Sequence, residues 1–132
     1  MTTGLASPTF SKRERIVSRT LIEKLFSKGS SQTASAFPIR IVYMKGERQE
    51  GEEPVQVLVS VSKRHFKRAV KRNRVKRQIR EAYRHYKQIL TEKVPQDQVL
   101  YAAFIWLSDE LFDSRQVEKA LKKLLEKTAE SI

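Results

Sequence analysis

Twelve of the chain's 27 Lys and Arg residues fall between positions 63 and 87, with a single acid, Glu81, among them. Guanidinium groups donate paired hydrogen bonds to a phosphate, and ammonium groups neutralise one as point charges, so this stretch is suited to a polyanion. It supplies nearly all of the formal net charge of +12 carried by the 132-residue chain. A field focused in this way points to nucleic acid, whereas a diffuse basic surface would serve only solubility. With Val75 set at 0° on a helix, Asn73, Arg77, Arg80 and Arg84 lie within about 40° of the opposite pole, with Lys76 and Lys87 beside them. They form a cationic ladder about 16 Å long. Lys63, Arg64, Lys67 and Lys71 extend it back toward the preceding segment. Asn73 adds an amide that both donates and accepts, as a base edge or a 2′-hydroxyl requires. A merely solvated helix face mixes signs to gain i,i+4 pairs, whereas this one repels itself, so a neutralising partner is the economical explanation.

Other chemistries are poorly served. There is no cysteine, which excludes thiol nucleophiles, disulfides and cysteine-based zinc sites and suits an intracellular setting. His65 and His85 lie in the most basic stretch, where a divalent metal is repelled, and read as RNA-facing or surface residues. Asp109, Glu110 and Asp113 suit capping of a final helix better than a metal-bound catalytic pair. Glu47, Glu50, Glu52 and Glu53 read as a flexible acidic loop. No catalytic residue and no metal site is assigned to the protein.

The elements that must position the basic ladder follow from periodicity. Residues 1–17 read as a partly flexible arm, with Phe10 able to fold back. A short helix is predicted over 19–28 from the capping-box spacing Thr20…Glu23, apolar Leu21, Ile22, Leu25 and Phe26, and the stop at Gly29. Residues 30–36 read as loop. Alternation over 37–44, with Pro38 unable to donate, predicts a strand near an edge, and alternating valines over 55–61 predict another. The two are candidates for a hairpin. Val75, Ile79, Ala82, Tyr83, Tyr86 and Leu90 form one apolar stripe of a helix over 68–92. Residues 99–107 are apolar at both parities, as in a central strand covered on both faces. A last helix over 114–127 carries Val117, Leu121, Leu124 and Leu125 inward, with Asp113…Gln116 at its start. Two or three strands before the long helix and one after it give the class α/β (α+β): one small domain over 18–128, with a mostly antiparallel four-stranded sheet packed with three helices. No apolar run approaches the roughly 20 residues that span a bilayer, so a cytoplasmic protein without membrane contact is expected.

The run SVSKR at 60–64, followed by AVKRNRVKRQIREAYR at 69–84, resembles the signature of the bacterial ribonuclease P protein subunit. The likeness extends over Arg15, the helix with Phe26 and Gly29, and the order of elements, hence about residues 10–127. It implies a left-handed βαβ crossover, where the ordinary expectation is right-handed. It also implies a protein that assists a catalytic RNA in removing the 5′ leader of precursor tRNA, with Mg²⁺ serving the RNA-based reaction and no cofactor on the protein alone. The partners implied are the RNA subunit and precursor tRNA, with no protein partner required. Carried over by position, Arg72, Asn73, Arg74, Lys76, Arg77 and Arg80 would contact the RNA subunit, with Lys63, Arg64, Lys67, Lys71 and Arg84 around them. Phe26, Arg40, Ser60 and Ser62 would line a leader cleft between the first helix and the sheet. Two positions depart from the pattern: a glycine that commonly precedes the SVS run is Leu58 here, and the expected stacking aromatic of the first strand is Arg40, whose guanidinium plane can itself stack on a base. The alternative is a non-enzymatic RNA-binding module, such as a ribosomal or RNA-chaperone protein. A leucine-zipper DNA-binding region fails because no heptad follows the basic run and Pro95 interrupts it.

Overall fold

A computed structural model describes residues 12–27, 29 and 31–132. Most of the expected arm, including Phe10, lies outside the described residues. After a short 3-10 turn at Lys12–Glu14 the elements are α1 (Arg19–Leu25), β1 (Gln32–Ala36), β2 (Ile39–Glu47), β3 (Val55–Ser60), α2 (Ala69–Tyr86), α3 (Gln88–Thr91), β4 (Gln98–Trp106) and α4 (Ser114–Ser131). They build a mixed α+β domain around one four-stranded sheet of order β1-β2-β4-β3. The β1/β2 and β2/β4 pairs are antiparallel, while β3 and β4 run parallel and are joined through α2 and α3.

β4 is central for the reason its sequence suggests. Leu100, Ala102, Phe104 and Trp106 face α2 and α4, while Val99, Tyr101 and Ala103 face α1, and all seven are buried. Each large aliphatic side chain buried in such layers contributes about 1.5–3 kcal/mol. β2 and β3 supply one apolar row each to the helical side, Ile39, Ile41 and Tyr43 from the first and Val55, Val57 and Val59 from the second.

Several boundaries differ from the sequence expectation. β2 and β3 do not form a hairpin, because β4 lies between them and pairs with both. Alternation shows which side chains turn inward and does not identify a strand's neighbour. The hairpin partner of β2 is β1, in the stretch read as loop, and Phe37 and Pro38 form the turn between them with a cis peptide bond. The long helix breaks at Lys87, so a fourth short helix, α3, follows α2. At α1 the cap is Ser18, whose hydroxyl accepts from Leu21 N at 3.4 Å, in place of Thr20. At α4 the Asp113–Gln116 capping box is present, with Gln116 N donating to Asp113 Oδ1 at 2.8 Å and Asp113 N to Gln116 Oε1 at 3.1 Å. The acidic stretch is tied down: Glu52 accepts from Gln49 N at 2.7 Å and from Gln56 Nε2 at 3.0 Å, and Arg48 Nε donates to Gln98 O at 2.7 Å.

Candidate nucleic-acid interface

The loop between β3 and α2 is pinned by buried Val61 and Phe66. Ser62 Oγ accepts from Arg64 N at 3.0 Å, and Ser62 O accepts from His65 N at 3.1 Å, which makes a tight turn carrying the exposed Lys63 and Arg64. Arg72 reaches back from the first turn of α2, its Nη1 donating at 2.8 Å to the carbonyls of both Phe66 and Lys67. Arg72 thus holds the basic loop against the helix. Both histidines meet carboxylates: His65 Nδ1 is 2.6 Å from Asp109 Oδ1, and His85 Nδ1 is 3.0 Å from Glu118 Oε1 on α4.

Along α2, Val75, Ile79, Ala82 and Tyr83 are buried against the sheet and α4. The opposite side carries Asn73, Arg77, Arg80 and Arg84, which line one open cleft of about 480 Å³ together with Glu81 and Arg15. Lys71, Arg74 and Lys67 are exposed along its approach, and Lys76 is half-buried. Arg15 arrives from the N-terminal segment, which runs along the outer edge of β3: Ile16 N donates to Val57 O at 3.0 Å, and Ile16 is buried. The segment is fastened further by Glu14, buried, whose carboxylate accepts from Lys87 Nζ at 3.0 and 3.1 Å. Lys87 therefore leaves the cationic ladder, to which its helical angle assigns it, and serves as an internal partner.

The electrostatics of the cleft suit an anion. Burial, and then the neighbouring Arg15 charge, lower the Arg80 pKa, and the buried Arg80 Nε has no hydrogen-bond partner among the described residues. Four guanidinium groups, those of Arg15, Arg77, Arg80 and Arg84, line this space, and their like charge is a cost that a bound phosphate removes. Glu81 gives internal relief at the far end, where its hydrogen bond from Arg84 is the main cause lowering its pKa and raising that of Arg84.

Arg15 and Arg80 also line a narrower groove of about 140 Å³, which continues past Val57, Leu58 and Val59. On the α1 side of the sheet, Arg40 stands opposite Ile105 and Ile105 opposite Ser60, one row across three strands at about 4.8 Å spacing. Arg40 is exposed, and Ile105 and Ser60 are half-buried. Phe26, at the C-terminal end of α1, is 47% exposed, so it is not a core residue. Ser62 is separated from this row, since the strand ends at Ser60 and its hydroxyl is engaged in the turn.

Comparison with known proteins shows the family. The Ribonuclease P family model matches residues 10–129. The chain belongs to the ribonuclease P protein family. It is 44% identical over 129 residues to the ribonuclease P protein component of Porphyromonas gingivalis, covering 95% of this chain and 91% of the relative. It is 37% identical over 79 residues to the Chlorobaculum tepidum component, covering 60% and 51%. The fold is similar to that of a Staphylococcus aureus RNase P protein mutant with defective mRNA degradation activity, with a TM-score of 0.68 at 18% identity over 89% of each chain. It is also similar to the Thermotoga maritima RNase P protein, with a TM-score of 0.64 at 20% identity over 86% of this chain and 96% of that one. The family is the protein subunit of ribonuclease P in tRNA processing, and association with ribonuclease P RNA follows. Among the described residues no helix is long and apolar enough to cross a membrane.

Arg15 lines the α2 cleft, although periodicity did not single it out. The signal was present as the alternation of exposed Arg13 and Arg15 with buried Glu14 and Ile16, which the 3-10 turn and the bridge to Val57 turn inward. Arg13 also binds outside the core, donating to Gly51 O.

Proposed function

We propose that the cationic face of α2, completed by Arg15, docks on the phosphates of ribonuclease P RNA, and that the Arg40–Ile105–Ser60 row receives the single-stranded 5′ leader of precursor tRNA. The observation that carries this reading is the sharing of Arg15 and Arg80 between the α2 cleft and the groove over β3, a path leading from the helix toward the sheet. Fixed charge on the helix suits a folded RNA backbone, held through electrostatic neutralisation. The flatter sheet row offers a hydroxyl, an aliphatic side chain and a guanidinium plane for unstacked bases, with Phe26 on the helix above the same side. Lys63, Arg64, Lys67, Lys71, Arg74 and Lys76 surround the contact, Asn73 supplies hydrogen bonds within it, and Arg72 positions the loop. In this reading the chain supplies binding and orientation, and the RNA with Mg²⁺ performs the cleavage.

The test is reconstitution with the source organism's ribonuclease P RNA, with dissociation constants measured separately for the RNA subunit, precursor tRNA and mature tRNA. Ser60→Trp is expected to lower the preference for precursor over mature tRNA about tenfold, the scale of one lost base-stacking contact, with assembly on the RNA subunit unchanged. Arg40→Ala acts in the same direction by a smaller factor. Ser62→Trp, by contrast, disrupts the turn beneath Lys63 and Arg64 and is expected to weaken assembly. Equal loss for both tRNA forms in Ser60→Trp would place the leader elsewhere.

A further inference from the structure

At the β1 edge of the sheet, remote from Arg15, the β1–β2 turn and α4 enclose a second cleft of about 380 Å³, lined among others by Phe37, Pro38, Phe112, Gln116, Lys119 and Lys123. Its floor is aromatic and held in place. Phe37 is 67% exposed, yet its ring meets Phe112 edge-on with centroids 6.1 Å apart at 72°. Phe112 in turn meets the buried Trp106 edge-on at 5.5 Å and 80°. An exposed phenylalanine fixed by a ring behind it is a stacking platform prepared in advance, at little further entropic cost.

The rim is cationic. Gln116, Lys119 and Lys123 follow one another at helical steps of three and four, so they share a face of α4, and the two lysines leave the helix one turn apart, about 6 Å along the axis. No acid lines the cleft, and neither lysine has a carboxylate partner among the described residues. The walls are tied together by Lys127, whose Nζ donates to Ser35 O at 2.8 Å and fixes α4 to β1. The oxygen of the Gln116 amide is engaged by Asp113 N, which leaves its nitrogen as a donor.

We propose that this cleft is a second RNA site, accepting one unpaired nucleotide of a single-stranded segment, with its base on Phe37 and its two flanking phosphates at Lys119 and Lys123. Aromatic platforms beside tracked positive charge are the combination that single-strand binding uses. The volume lies at the lower end of ligand-sized pockets, which suits one nucleotide. Because the sheet order places β1 and β3 at opposite edges, this strand is separate from RNA held by Arg15 beside β3. The proposal does not depend on the leader assignment.

The probe is a pentauridylate carrying 4-thiouridine, tested on the full chain and on the Arg77→Gln/Arg80→Gln/Arg84→Gln variant, in which the α2 cleft is weakened. Binding is expected to persist in that variant, with photo-crosslinks in the peptides spanning 36–38 and 116–123. Phe37→Ala in the same background is expected to weaken binding about tenfold, and Phe37→Trp to retain it. Lys119→Glu/Lys123→Glu is expected to remove it, as two neutralised phosphates account for about 1.4 in the slope of log K against log salt for single strands. All these side chains lie outside the core, and near-native far-ultraviolet circular dichroism verifies the fold of each variant. Crosslinks confined to α2 or the α1 side of the sheet would overturn the proposal, as would unchanged affinity in the lysine variant. Uridine monophosphate binding as tightly as the pentamer would also overturn it, by showing a mononucleotide pocket. Ribonuclease P RNA binding by the same proteins reports separately on the α2 assignment.

Discussion

Replacing Arg77, Arg80 and Arg84 together with Gln is expected to weaken binding to ribonuclease P RNA about a hundredfold at about 0.15 M salt. Three phosphates no longer neutralised lower the slope of log K against log salt by about 2.1–2.7, and at that ionic strength the counterion term alone gives a loss of this size. The fold should survive. The three side chains lie on the side of α2 away from Val75, Ile79 and Ala82, so no core atom is removed. Relief of like charge between Arg15 and Arg80 offsets the lost packing of the Arg80 stem. Glu81 loses its partner Arg84, a contribution that solvent screening keeps small. Filter binding across a salt series, with thermal melting of the free protein, checks both halves. An unchanged affinity with an unchanged slope would show that the RNA docks on another face.

The parts of this fold that were legible in the sequence are those where one element carries its own signal. β4 is apolar at both parities because it is covered on both faces, and the stripe of Val75, Ile79, Ala82 and Tyr83 follows a single helical period. β1 has no such signal. Its residues Gln32, Thr33 and Ser35 are exposed, Ala34 is half-buried and only Ala36 is buried, so the strand is held by its ladder to β2 and not by an apolar row. The hairpin misreading has a related origin, since the alternating faces of β2 and β3 are equally compatible with pairing to each other or to β4. In the candidate site, Asn73, Arg77, Arg80 and Arg84 were legible because they share one helix face. The Glu14–Lys87 pair was not, because the two residues are 73 positions apart and no periodicity joins them. The charge of Lys87 suggested the outer face, whereas the buried carboxylate of Glu14 needs a cation beside it.

That pair gives the largest expected effect on stability. Lys87→Met leaves the Glu14 carboxylate, its side chain 8% exposed, without the ammonium group now at 3.0 Å. Removing one partner of a buried pair costs about 3–5 kcal/mol, and because the Lys87 side chain keeps 22% of its exposure the expected loss is nearer 2–4 kcal/mol. A competing response limits the damage. The segment over 12–17 can lift from β3, giving up the burial of Ile16, about 2 kcal/mol, and its hydrogen bond to Val57 O. Lifting carries Arg15 out of the α2 cleft, so RNA affinity should fall about four- to fivefold at about 0.15 M salt, the share of one phosphate. The double variant Glu14→Gln/Lys87→Met removes both charges and should be more stable than Lys87→Met alone, a coupling that a double-mutant cycle in urea measures directly. Tryptic cleavage after Arg13 and Arg15 distinguishes the two responses, since a lifted segment is cut faster while the domain remains folded. Wild-type stability together with wild-type cleavage in Lys87→Met would show that Glu14 is held by its other contacts and that the pair does not anchor Arg15.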